Sequence, residues 1–122
     1  MATVKSYKEL VVYQKGYEVA KMIYGITSRF SRDEVYGLSS QLRRAAVAVP
    51  SNIAEGFMRG PKEYAQFLKM ALGSAVELET QLNLALDLGY CTHQDYLLAY
   101  NLNQEVLALL GASIAKLSRR RS

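Results

Sequence analysis

This chain predicts an all-α fold, an antiparallel up-down-up-down four-helix bundle, and three observations predict it. Four stretches carry apolar residues at helical spacing. The connections between them are short and hold helix-start signals, which makes sequential helices antiparallel neighbours. No stretch shows sustained period-2 alternation or an Asn-Gly or Asp-Gly hairpin turn, so no strand is expected.

Ser6 followed by Glu9 has the spacing of a capping box, in which the serine oxygen accepts an orphan amide and the glutamate reaches back. A helix over about residues 7–29 is expected behind it. Leu10, Tyr13, Tyr17, Ala20, Tyr24 and Thr27 would form one core stripe, with Val12, Val19, Ile23, Ile26 and Phe30 beside it.

Ser31 and Glu34 repeat the spacing, so the second helix should begin at Arg32 or Asp33 and run to about Arg59 with Pro50 inside it. Proline deletes the amide that would bond the Ala46 carbonyl, at a cost of roughly 3 kcal/mol. A kink is expected at Pro50. The apolar phase survives from Leu42 through Val49 to Ile53 and Phe57, which favours one bent helix over two separate ones.

The chain is organised around this helix. Leu38, Leu42, Ala46, Val49, Ile53 and Phe57 make its core face, while Gln41, Arg44, Asn52, Glu55 and Arg59 gather in a polar strip about 80° wide. The remaining flank, with Tyr36, Val47, Ala54 and Met58, is again apolar. A helix apolar on two sides of a narrow polar strip calls for two burial partners, its own bundle and a second copy of the chain.

Gly60-Pro61-Lys62-Glu63 restarts the chain: glycine tolerates the cap, proline suits the first turn and the glutamate complements the helix dipole. Helix three is expected over about residues 61–88, with Tyr64, Phe67, Leu68, Ala71, Ala75, Leu78, Leu82, Ala85 and Leu86 inward and Gly89 as the stop. Gly73 is read as permitting a close helix contact. Thr92 and Asp95 then cap helix four, whose inner face would be Tyr96, Leu97, Tyr100, Asn103, Leu107, Leu110, Ile114 and Leu117. The bundle would occupy residues 1–118 as one domain and residues 119–122 would form a mobile basic tail.

The 122 residues can bury a core without staples. Cys91 is the single cysteine and cannot form an internal bridge, so a reducing, cytoplasmic setting is the natural reading. No h-region opens the chain, no apolar run reaches the roughly 18 residues of a membrane span, and no membrane partner is expected. The net charge is +4, but removing Arg119, Arg120 and Arg121 from the 15 basic residues leaves 12 against 11 acidic ones. The body is near neutral. The terminal arginines either keep the chain soluble or act as an electrostatic arm for RNA or DNA phosphates.

Catalytic patterns are missing. His93 is the only histidine, so no nucleophile-base-acid arrangement can be assembled without it, and with Cys91 it is half a zinc site at best. There is no Glu-x-x-His for a di-iron bundle and no phosphate-cradling glycine pattern. The expectation is therefore a non-enzymatic protein with no catalytic residues, no metal and no cofactor. What remains is a polar group, Arg43, Arg44, Asn52, Glu55 and Arg59 on helix two with Glu77 and Glu79 on helix three. It reads as an inter-helix network fixing register and assembly, or as a polar pocket or phosphate-binding edge. Glu79 falls between Leu68 and Leu72 at the edge of the core and should be paired.

The motifs Tyr36-Gly37-Leu38, Gln41-Leu42-Arg43-Arg44-Ala45-Ala46, Pro50-Ser51-Asn52-Ile53-Ala54-Glu55-Gly56 with Arg59, Gly73-Ser74, Glu77-Leu78-Glu79-Thr80-Gln81-Leu82 and Leu88-Gly89-Tyr90 follow one another in order. In this order the chain resembles the four-helix-bundle proteins encoded in 23S rRNA intervening sequences, from about Leu10 to Leu117. Tyr13 stands where that family usually has tryptophan, and Phe30-Ser31 where Phe-Pro is common. The resemblance implies a ring-shaped homopentamer, similar in shape to the accessory protein of diversity-generating retroelements, which partners a reverse transcriptase and binds nucleic acid. On that pattern Arg43, Arg44, Asn52, Glu55, Arg59, Glu77 and Glu79 are the matching polar positions. The leading expectation is a homo-oligomeric, nucleic-acid-associated or scaffolding bundle. The rival is a protein-interaction adaptor for a reverse transcriptase or RNA-processing enzyme without direct nucleic-acid contact.

Overall fold

A computed structural model describes residues 4–34 and 37–121, apart from the side chains of Glu34 and Arg121. Helices are the only regular secondary structure among the described residues. A 3-10 turn at Tyr7–Glu9 precedes α1 (Val11–Thr27), a second 3-10 turn at Arg32–Glu34 precedes α2 (Leu38–Arg59), and α3 (Pro61–Asp87) and α4 (His93–Arg121) follow. Each α-helix packs on the next in chain order, and α4 closes on α1, so every helix has two neighbours around one core. Ile23, Leu42, Ile53, Leu68, Leu78, Leu82, Val106 and Leu110 are fully buried there.

The Ser6–Glu9 capping box forms, but around the 3-10 turn and not around a long helix. Glu9 Oε2 accepts from the amides of Lys5 at 2.7 Å and Ser6 at 3.0 Å. Leu10 is extended, and α1 begins only at Val11. Gln14 Nε2 donates to the Lys8 carbonyl at 2.8 Å, which ties the turn to the helix. Helix two likewise starts later than the Ser31–Glu34 spacing implies. Gly37 at φ −104°, ψ −116° lies outside the helical region and α2 starts behind it, while the capping role of Glu34 and the flank residue Tyr36 lie outside the described residues.

Pro50 sits inside an unbroken α2, as the surviving apolar phase required. Leu38, Leu42, Ala46, Val49 and Ile53 are buried as expected. On α1 Val12, Val19, Ala20, Ile23, Ile26 and Thr27 are buried as expected and Gly16 joins them, but the core arc is narrower than expected, since Tyr17 and Tyr24 are exposed. Gly16 lies where α1 meets α2 most closely, since a Cβ there would meet Val49 Cγ1 at 3.2 Å and Pro50 Cδ at 3.8 Å. The helices approach along glycine, and the larger tyrosines are left on the flank.

Gly60 at φ +106° and Pro61 open α3 as expected. Its end is a Schellman motif: Gly89 at φ +77° donates to Leu86 at 3.0 Å and Tyr90 donates to the Ala85 carbonyl at 2.8 Å. Gly73 mediates no close contact among the described residues; it is exposed and a Cβ there would meet none of them within 4 Å. The Thr92 hydroxyl caps α4 by accepting from the Asp95 amide at 3.1 Å. Ala99, Asn103, Val106 and Leu110 make its inner face, and Leu97 is exposed. Residues 119–121, expected in a tail, form the last turn of α4; Ser122 lies outside the described residues.

Candidate nucleic-acid interface

Arg43 and Arg44 stand near the start of α2, where the C-terminal end of α1 lies alongside. Arg43 is held by α1: its Nε donates to Thr27 Oγ1 at 2.7 Å, one terminal nitrogen donates to the Tyr24 carbonyl at 3.4 Å, and its guanidinium lies 4.5 Å from the Tyr24 ring centroid. Thr27 passes the bond on, donating to the Ile23 carbonyl at 2.6 Å. A hydrogen bond to a charged group contributes about 1.5–3 kcal/mol, so this arginine is anchored and aimed. Arg44 is exposed and makes no ion pair or hydrogen bond among the described residues.

Around them is a concave pocket of about 780 Å³, its polar edge supplied by Arg32, Arg43, Arg44, Thr27, Ser28, Ser39 and Ser40 and its apolar floor by Tyr24, Phe30 and Val47. No aspartate or glutamate lines it among the described residues. Val47 also lines a second hollow, about 310 Å³, walled by Tyr7, Tyr13, Tyr17, Pro50 and Ala54. Together the two make an open trench between α1 and α2, cationic at one end and aromatic along the rest.

The other polar positions are dispersed. Asn52 is turned back on its own helix, its amide donating to the Ala48 carbonyl at 2.8 Å. Arg59 approaches Glu63 at 3.9 Å and lies 5.4 Å over the Phe67 ring. Glu55 is exposed and makes no ion pair or hydrogen bond among the described residues. Glu77 accepts from Gln81 Nε2 at 3.1 Å, and Glu79 accepts a short bond from the Gln104 amide of α4. Glu79 is thus paired, though with a neutral amide, and no ion pair joins the α2 arginines to Glu77 or Glu79 among the described residues. Arg119 and Arg120 are exposed at the far end of α4, and the side chain of Arg121 lies outside the described residues.

Arg32, Tyr24 and the serines at the pocket edge escaped sequence reasoning. The register of α1 on α2, with Gly16 facing Val49 and Pro50, carries Tyr24 and Thr27 to Arg43, and neither helix signals that register by itself.

His93, the first residue of α4, is exposed, and Cys91 is a free thiol whose pKa is pushed up by burial and then by the nearby Asp95 carboxylate. A raised thiol pKa means less nucleophilic thiolate. Among the described residues no group of three His, Cys, Asp or Glu side chains could hold a metal ion, and no helix is long and apolar enough to cross a membrane.

A crystal structure of a protein with unknown function from the S23 ribosomal protein family of Bacteroides thetaiotaomicron VPI-5482 superposes with a TM-score of 0.79 at 26% identity, covering 85% of this chain and 98% of that one. No curated protein matches the chain. The model of the 23S rRNA-intervening sequence protein family matches residues 8–112. With its all-helical fold, its close structural relative and a family match over most of its length, the chain belongs to the 23S rRNA-intervening sequence protein family.

Proposed function

We propose that this chain is a non-enzymatic, cytoplasmic helical bundle that assembles into a ring with copies of itself and associates with RNA. The observation that carries the reading is the open trench, an apolar flank of α2 that ends in unneutralised arginines. The family description, which names 23S rRNA, supports RNA as the nucleic acid.

The bundle in this reading is antiparallel and bent at Pro50. Lys15 pairs with Glu105 at 2.8 Å and Arg29 with Asp95 at 2.5 Å, which supports opposite directions for α1 and α4. Gly16 beside Val49 and Thr27 beside Arg43 argue the same for α1 and α2, as do Asn103 beside Ala75 and Tyr96 beside Asn83 for α3 and α4. The bend is supported by the amide missing at Pro50.

Assembly is supported by two unlike apolar stripes left exposed on the single chain. Val47, Ser51, Ala54 and Met58 recur on one face of α2, with Val47 40% and Met58 72% exposed. Met70, Gly73, Val76, Thr80 and Leu84 recur on the outer face of α3, with Val76 50% exposed. Different stripes mate head to tail, and a head-to-tail contact that closes makes a ring. Five copies is the count the family resemblance implies.

Light scattering tests the assembly. Ala54→Glu and Val76→Glu should each break the ring, and mixing the two variants should restore one intact contact and give a heterodimer. A monomeric wild type, or variants that stay separate when mixed, would sink the ring. RNA binding should weaken steeply between about 50 and about 200 mM salt. Binding that is absent or indifferent to salt would remove the RNA association.

A further inference from the structure

We propose that the pocket between the end of α1 and the start of α2 binds the phosphates of single-stranded RNA, with Arg32, Arg43 and Arg44 as the phosphate ligands. The inference rests on the RNA reading above and says where, and in what form, the RNA is held.

Three guanidinium groups share one concavity with no carboxylate lining it among the described residues. Like charges gathered without a counter-charge repel one another, and an anion placed among them relieves that repulsion. A guanidinium carries about five N–H donors. Arg43 uses two directions on Thr27 and the Tyr24 carbonyl, which fixes its plane and leaves the others for a ligand. A fixed guanidinium loses little entropy when it receives a phosphate oxygen, and its fork matches phosphate geometry. Arg32 and Arg44 are exposed and make no ion pair or hydrogen bond among the described residues, so both are available to close on the same anion. Ser40 adds an exposed hydroxyl at the edge for a remaining phosphate or ribose oxygen, whereas the Ser28 hydroxyl is donated to the Gly25 carbonyl at 2.6 Å and Ser39 is buried.

Shape decides the form of the nucleic acid. A hollow of about 780 Å³ has the size of a small-ligand site. It admits a nucleotide or two of a splayed strand, whereas a double helix would bridge its mouth. The half-exposed Tyr24 ring lies on the floor beside the cations and offers a surface for a base, the combination by which single strands are held without sequence preference. The arginines in the last turn of α4 are a different place. Asp95, which meets Arg29 near this pocket, is separated from Arg119 by on the order of 35 Å of helix, so the two basic clusters can be tested separately.

The test is fluorescence anisotropy of a labelled oligouridylate and of a duplex of equal length, read against salt. The variants are wild type, the double variant Arg32→Ser with Arg44→Ser, and Arg119→Ser with Arg120→Ser, each checked for oligomer size. Arg32 and Arg44 are the positions to change because Arg43 braces α1. We expect the single strand to bind more tightly than the duplex. The pocket double variant should lose at least about tenfold in affinity, and its salt slope should fall by about 1.4, two phosphate contacts at roughly 0.7 each. The α4 pair should leave most of the affinity intact. If the pocket variant binds like wild type while the α4 variant does not, RNA association stands and this site falls. Equal binding of duplex and single strand overturns the assignment of strand form. A pocket variant that changes oligomer size without changing affinity makes the arginines an inter-subunit contact and overturns the site. Failure of the wild type to bind either probe overturns both the site and the RNA reading.

Discussion

A Cβ placed on Gly56 would stand 2.5 Å from the Cβ of Phe67, closer than two such carbons can lie. The contact is between α2 and α3 near the tight Gly60-Pro61 connection, and it explains the glycine that ends the Asn52-Ile53-Ala54-Glu55-Gly56 run by packing alone. Phe67 Cγ and Tyr64 Cδ1 would each lie 3.2 Å away, so relief would require the helices to part. Gly56→Ala should destabilise the protein by about 1–3 kcal/mol despite the better helix propensity of alanine. Urea melts check this. Adding Phe67→Leu should not restore stability, because leucine keeps the offending Cβ; full rescue by that change would show that the ring and not the backbone spacing is at fault.

Asn103 tests how the core tolerates a polar group. It is 1% exposed, its amide nitrogen donates to the Ala75 carbonyl at 3.0 Å, and its Oδ1 has no hydrogen-bond partner among the described residues. An unpaired buried acceptor costs roughly 1–3 kcal/mol, so Asn103→Leu should be neutral or stabilising in thermal unfolding. Asn103→Asp should do the reverse. Burial raises the folded pKa of the new carboxyl, so the variant keeps its stability below the unfolded value of about 4 and loses it as pH rises. Melting curves at about pH 4 and about pH 7 should therefore diverge from wild type only at the higher pH. Equal penalties at both would mean that shape, and not charge, is what the site rejects.

How much of this was readable in the chain depends on what each residue's position requires. The core stripe of α2 was legible because Leu42, Val49 and Ile53 can do nothing else with their surface, and Gly89 was legible because a left-handed stop favours glycine. Tyr17 and Tyr24 were placed inward in error, since a tyrosine fits a core edge or a flank equally well and periodicity overstates the width of an arc bordered by such residues. Gly16, which belongs to the buried arc, carries no hydropathy signal. The partner of Arg43 was invisible for a different reason. Thr27 lies 16 residues away on another helix, and the pairing depends on the register between them. The polar group expected to join α2 to α3 dispersed because Glu79 reaches Gln104 on α4 and Arg59 reaches Glu63 one turn ahead.

Gly111 offers a gain. It lies within α4, exposed, and a Cβ there would meet nothing within 4 Å. Glycine in an exposed helix interior costs roughly 0.5–1 kcal/mol relative to alanine through the entropy of the unfolded chain. Gly111→Ala should raise stability by about that amount with no change in oligomer size. A loss of stability would mean that this face of α4 is covered in the assembled protein.

Alkaline titration reads the packing of Tyr64. Its ring meets Phe57 edge to face, with centroids 6.3 Å apart, and burial pushes its phenol above the ordinary value of 10.0. For an acid whose folded pKa is raised, the unfolded chain gives up its proton first. The stabilising contribution is then fully present below about pH 10 and is lost as pH climbs through the folded value. Tyr13 and Tyr96 are shifted in the same direction, chiefly by loss of hydration, and add to the slope. Urea midpoints measured on both sides of pH 10 should fall steadily on the alkaline side. Tyr64→Phe removes the titrating hydroxyl and keeps the ring contact, so its alkaline decline should be shallower than that of wild type while its midpoint at neutral pH stays close. An identical decline in the two proteins would show that the Tyr64 hydroxyl is as well hydrated in the folded protein as in the unfolded chain.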